Sequence, residues 1–352
     1  MILSSIRGKL LGGTTSPAES SPRPRAGTAV LSLLAAPLNG LVVRALADKP
    51  KRLAELRADL GGPAQSTLRG NLTKLMELGI LSRGSGPRPS GLAYQLTEFG
   101  RDVLLAVGAV EAWLRMAPQG PVALESSAAK IAIKALIGGW ASTVVRALAA
   151  RPLTLTELDK LIDSHTYPAL ERRLSAMRMA GLIEVDPSVD GSIGRRYTVS
   201  EWLRRAIGPL SVAARCERRH MPSTTAPIGR LDVESAFLLV VPLISSVSGA
   251  DGTFQLAVEG GRADTGRPWA GAQATFESGS FSSCVARLEP RPENWALGLP
   301  SAWLEAVIGR DPEALRFGGD VDSGREIVRA IHDALFAESS LQPQSASRAA
   351  AG

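Results

Sequence analysis

Val42-Val43-Arg44-Ala45-Leu46-Ala47 returns as Val144-Val145-Arg146-Ala147-Leu148-Ala149, an offset of 102 residues. At that offset Pro50 meets Pro152, Leu53 meets Leu155, and Glu55-Leu56 meets Glu157-Leu158. Leu68, Leu72, Leu75 and Gly79 then meet Leu170, Leu174, Met177 and Gly181 with no insertion. A repeat of this length decides the fold, because both copies must build the same unit. Each copy is about 90 residues, the size of a small domain rather than of a solenoid repeat.

Within the first copy the pattern reads helix, helix, turn, helix, strand, loop, strand, helix. A first helix is predicted to run to about Ala47 and to stop before Pro50. A second covers about Arg52–Leu60, with Leu53, Leu56 and Leu60 on one face. Gly61-Gly62 ends it, and Pro63 suits the first turn of a third helix over about Ala64–Leu78. Leu68, Leu72 and Leu75 form that helix's core face, and Gly79 stops it. Ile80–Arg83 and Leu92–Thr97 read as strands around a Gly84–Gly91 tip rich in Gly and Pro. Thr97 caps a closing helix that reaches about Met116. In the second copy, helices are expected near Ala128–Ala149, Thr154–Leu161 and Pro168–Ala180. Strands near Leu182–Val185 and Arg195–Val199 flank a Pro187–Gly194 tip, and Ser200 caps the last helix.

The run Leu78-Gly79-Ile80-Leu81-Ser82-Arg83, followed by Tyr94-Gln95-Leu96-Thr97-Glu98-Phe99-Gly100, resembles the HxlR, PadR and MarR-like winged helix-turn-helix regulators, HxlR foremost. The likeness covers both copies and is stronger in the first. The second has Val199-Ser200-Glu201-Trp202 where the family shows Leu-Thr-x-x-Gly. This resemblance implies a transcriptional regulator that binds double-stranded DNA. Relatives of the HxlR type are generally one-module chains that dimerise on pseudo-palindromic sites, so two modules in one chain imply an internal pseudo-dimer. A homodimer of four modules stays open.

In such a module the third helix enters the major groove. With Leu68, Leu72 and Leu75 inward, Gln65, Ser66, Arg69 and Thr73 face outward. Arg69 suits a guanine and Gln65 an adenine, while Ser66 and Thr73 suit phosphate or sugar. The second copy offers Thr166, Tyr167, Arg172 and Arg173, with Glu171 in the place of Arg69. Arg83 and Arg88, and then Arg195 and Arg196, put cations on the two hairpins, where they suit phosphate contact or the minor groove. A single exposed arginine is ordinarily just solvated, so the case rests on the ensemble.

Charge follows the same division. The chain carries +6 overall; residues 28–118 carry +4, residues 126–222 carry +6, and residues 230–338 carry −7. A basic part that meets phosphate and an acidic part that does not is the expected reading.

The organisation expected is therefore multidomain. A disordered tail (1–27) precedes two mainly-α winged helix-turn-helix domains (28–118 and 126–222), an acidic α+β domain (230–338) and a second disordered tail (339–352). In the acidic domain, strands are expected over Thr253–Val258, Gln273–Glu277 and Ser283–Leu288. Helices are expected over Ser301–Ile308 and Gly324–Phe336. Trp295-Ala296-Leu297-Gly298, Trp303–Arg310 and Phe317-Gly318-Gly319-Asp320 resemble sterol carrier protein-like domains. That resemblance implies a small apolar effector, with Trp269, Trp295, Trp303 and Phe317 as candidate lining; plain core aromatics are the competing reading. A rival function from another class is a sequestering protein for a small molecule, with the winged helices as scaffold or dimerisation modules.

No P-loop, CxxC pair, HExxH motif or nucleophile elbow occurs, and His165, His220 and His332 lack ligand spacing. Neither catalysis nor a cofactor or metal is expected. Cys216 and Cys284 exclude a disulfide-stapled secreted fold, leaving reduced thiols or a lone bridge. Pro37, Asn39 and Arg44 interrupt the apolar stretch Ala29–Leu46, so no run of roughly 20 apolar residues spans a membrane. A cytoplasmic protein with no membrane partner is expected.

Overall fold

The computed structural model describes residues 25–85, 92–140, 143–162, 166–186, 194–221, 227–260 and 267–336. The expected tail 339–352 lies outside these residues, as does most of the tail 1–27. Arg25–Gly27 do not belong to a tail. Ala26 is buried, Arg25 pairs with Asp232 at 2.8 Å, and the Gly27 N–H donates to Glu217 at 2.8 Å.

The first unit comprises α1 (Thr28–Leu34), α2 (Pro37–Ala45), α3 (Leu53–Asp59), α4 (Gln65–Glu77), β1 (Leu81–Ser85), β2 (Leu92–Leu96) and α5 (Glu98–Arg115). The single first helix of the sequence reading is two, meeting at 87°. Pro37 opens α2 at its first turn, and the buried Asn39 amide donates to the Leu33 carbonyl that the break exposes. No single helix among the described residues is long and apolar enough to cross a membrane.

The second unit comprises α6 (Ser127–Trp140), α7 (Thr143–Ala150), β3 (Leu153–Thr154), α8 (Leu155–Leu161), α9 (Tyr167–Met179), β4 (Ile183–Val185), β5 (Arg196–Val199), α10 (Glu201–Arg205) and α11 (Ile207–His220). Helices α3 and α4 become α8 and α9 when 102 is added to each end. The isolated bridge Lys51↔Tyr94 likewise becomes the β3–β5 pair Leu153↔Tyr197. Beyond the hairpin tip the offset is 103, since Leu81 pairs with Leu96 and Ile183 with Val199. The helix caps agree: Thr97 Oγ1 donates to the Gly79 carbonyl and accepts from Gly100 N, while Ser200 Oγ donates to Gly181 and accepts from Leu203 N. Gly100 lets α5 cross the Ile80 carbonyl, since a Cβ there would lie 2.3 Å from that oxygen. Leu203 occupies the matching point, and there the closing helix breaks at Ala206 into α10 and α11.

The third unit opens with a helix, α12 (Arg230–Val240), where the sequence reading began with strands. A five-stranded sheet follows in the order β10-β9-β6-β7-β8. Its strands are β6 (Gly252–Glu259), β7 (Pro268–Glu277), β8 (Ser280–Val285), β9 (Asn294–Gly298) and β10 (Arg316–Gly318), of which β9 was not anticipated. Strand β9 lies parallel to β6, so the chain after β8 crosses beneath the sheet. There the Glu289 N–H donates to the buried Gln255 at 2.6 Å. Helices α13 (Pro300–Gly309) and α14 (Val321–Phe336) complete the unit.

One continuous apolar core joins the three units. Buried Glu234 on α12 accepts from Arg146 on α7 at 2.5 Å and from Arg230 at 2.7 Å. Arg204 donates to the Leu238 carbonyl, and Arg205 to that of Ala334.

Candidate nucleic-acid interface

The turn before α4 is set by two left-handed glycines, Gly61 and Gly62, each at φ 76° with open space where a Cβ would sit. Their N–H groups close α3 onto the carbonyls of Ala58 and Arg57 at 3.2 and 2.8 Å. Helix α4 then buries Leu68, Leu72 and Leu75 completely, and Gln65, Ser66, Arg69 and Thr73 are all exposed on its outer side. Arg69 forms no ion pair among the described residues. Lys74, exposed beside Thr73, adds a cation that the residue-by-residue reading omitted. Arg83 on β1 is exposed, its guanidinium 5.4 Å from the centre of the Tyr94 ring, which holds it over the hairpin. Arg88 lies outside the described residues.

Helix α9 repeats the buried stripe with Leu170, Leu174 and Met177. Thr166, Tyr167, Glu171 and Arg172 are exposed. Arg173 turns inward and donates to the Gly138 carbonyl at the end of α6, and burial pushes its pKa down. Arg196 approaches Glu157 on α8 at 4.0 Å and buries its Nε, while Arg195 is exposed. Two of the six expected contacts of the second unit thus serve the protein's own packing. Its surface is also more apolar, with Tyr167 and Met179 exposed on α9.

The four aromatics of the acidic domain do not converge. Trp303 lines a cavity, and its Nε1–H is donated to the Ala257 carbonyl at 2.8 Å. Trp269 is 40% exposed on β7. Trp295 lies across Gly318, where a Cβ would be 2.4 Å from its ring. Phe317 packs on Gly324 beneath Arg325. Cys216 and Cys284 are separate thiols, each pushed up to about 12 by burial.

A turn held by paired glycines, a helix with a polar outer face and a two-stranded hairpin define residues 28–115 as a winged helix-turn-helix domain, the class that presents its third helix to duplex DNA. Residues 33–119 match the family model described as HxlR-like helix-turn-helix. The N-terminal part of the chain is thus similar to the HxlR-like helix-turn-helix domains, a family of DNA-binding regulators. No curated protein matches the chain.

Proposed function

We propose that the chain is a transcriptional regulator in which two winged helices act as an internal, unequal pseudo-dimer. The observation that carries this reading is the helix-for-helix agreement of α3–α4 with α8–α9, combined with the exchange of Arg69 for Glu171 on the outer face. Arg69 reads a base; the second module grips phosphate through Arg172 and Arg195. The operator is then asymmetric. In the same reading the acidic domain binds a small apolar effector and alters how the two modules are held, which requires the effector to favour one arrangement.

A second reading is favoured by the inward Arg173, the paired Arg196 and the exposed Tyr167 and Met179. In it the second module contacts protein, and DNA is held by the first alone.

Selection from a random duplex library tests both. The first reading expects a site specified at one end only, which Arg69→Ala relaxes, with Glu171→Arg adding a base preference at a second, spaced position. A single short site, unaltered by Glu171→Arg, supports the second. No enrichment at all contradicts the regulator.

A further inference from the structure

Between α11 and the acidic domain lies a cavity of about 130 Å³. Leu210 and Ala214 of α11 form one wall, Val233 and Phe237 of α12 a second, and Trp303 and Val307 of α13 a third. Phe237 meets Trp303 edge to face at 5.0 Å, and the indole nitrogen is already engaged with Ala257, so the ring alone faces the space. The polar residues of the lining are Ser211 and Asp232. Both Asp232 oxygens are taken, one by Arg25 at 2.8 Å and the other by the Gly229 N–H at 2.7 Å. A space of this kind rewards hydrocarbon and penalises a charged or strongly polar guest. Its size is close to that of an apolar cavity of about 150 Å³ that holds benzene.

Val258 of β6 and Ile331 and Leu335 of α14 add to the lining, and one further side comes from the segment that leads into the first module. Ala26 lines the cavity, and its neighbours hold it there. Arg25 is tied to Asp232 on α12. Gly27 sits at φ 83° with its N–H on Glu217 of α11, and a Cβ at Gly27 would lie 2.7 Å from the Leu210 carbonyl oxygen. Glu217 also accepts from the Val30 N–H at 2.9 Å, so one buried carboxylate caps α1. Arg25–Gly27 is therefore a strap that runs along one side of the cavity and continues directly into α1.

We propose that this cavity binds a compact, uncharged apolar molecule of about one ring, and that its occupancy sets how firmly the strap and α1 are seated on α11. The proposal deepens the effector part of the regulator reading: it moves the site from within the acidic domain to its junction with α11, and it gives the first module a direct contact with the ligand.

Toluene added to the full chain tests it, followed by methyl NMR and by hydrogen exchange at the Gly27 and Val30 amides. The expected result is saturable binding that shifts the methyls of Leu210, Val233 and Val307. Because the ligand touches Ala26 only while the strap is seated, exchange at both amides slows, by up to about tenfold at ten times the Kd, relative to amides of α4. Ala236→Phe, which fills the cavity, should abolish toluene binding; Ser211→Leu serves if that variant does not fold. Absence of saturable binding, shifts confined to other methyls, or binding that leaves both amides unchanged overturns the proposal. Toluene binding without any DNA binding by the chain would instead sink the regulator reading and leave this site standing.

Discussion

The indoles of Trp113 and Trp202 lie parallel, their centres 4.4 Å apart and their planes 9° from each other. Each donates its Nε1–H to the other's backbone carbonyl, at 2.9 and 2.8 Å. Trp113 stands near the end of α5 and Trp202 near the start of α10. At the opposite end of the same pair of closing helices, Phe99 at the start of α5 stacks on His220 at the end of α11, at 4.8 Å and 15°. Phe99 and Trp202 are matching residues at the offset of 103. The closing helices therefore run antiparallel, and the aromatic that opens each one rests on a ring at the end of the other. This is the approximate two-fold relation an internal dimer requires.

Trp202→Ala should lower stability by about 3–5 kcal/mol, the usual cost of deleting a buried indole. Trp202→Phe keeps a ring but removes the indole donor from the Trp113 carbonyl, which retains the Met116 N–H at 3.1 Å, and should cost less. Urea midpoints of the full chain decide the order, and equal losses would show that the reciprocal hydrogen bond contributes nothing.

Glu217 is 1% exposed, and burial raises its pKa despite the backbone N–H groups that favour its charge. Glu217→Ala would leave the Gly27 and Val30 N–H groups buried without this acceptor, at a cost of about 1–3 kcal/mol. Hydrogen exchange should accelerate at the start of α1 more than at α4. Uniform acceleration would mean that the carboxylate stabilises the whole chain rather than that cap.

His332 is buried with Nδ1 2.7 Å from the Val307 carbonyl, which can only accept, so the neutral ring carries its proton there. Burial lowers its pKa, with Asp333 and Arg310 opposing one another nearby. The folded state thus binds fewer protons than the unfolded chain in the window below the ordinary histidine pKa. Stability should fall there as pH decreases, with a limiting slope of about 1.4 kcal/mol per pH unit. His332→Asn should flatten that part of the profile in chemical denaturation. An unchanged slope would assign the acid sensitivity to other groups.

Arg69 and Arg83 should separate by kind of effect. Arg69→Ala should cost about 1–3 kcal/mol and relax preference at one position. Arg83→Ala should weaken all sequences alike and reduce the dependence on salt. Binding to a matched set of single-base operator variants measures both, and identical profiles would contradict the assignment of roles.

What could be read from the sequence was what short-range spacing encodes. Leu68, Leu72 and Leu75 recur at helical intervals, and their copies Leu170, Leu174 and Met177 confirm the interval, so the helix-turn-helix elements emerge within a residue or two. Arg173 shows the limit of that logic. Its position on α9 flanks the buried stripe, and periodicity says nothing of the α6 terminus that covers it. The strap at Arg25–Gly27 was invisible for a similar reason, since its partners Asp232 and Glu217 lie about 200 residues away in sequence. The short strand β10 and the parallel strand β9 carry no alternation of their own and exist through pairing across a crossover.

Under the proposed function, the chain binds a defined duplex through its two winged helices. Titration of the full chain into a labelled duplex recovered by selection, against a random duplex of equal length, tests it most directly at 50 and 200 mM salt. Clear preference for the selected duplex is expected. Affinity should also fall about a thousandfold between the two salt concentrations if some six phosphates are contacted. Equal affinity for both duplexes, or binding indifferent to salt, would contradict the proposed function.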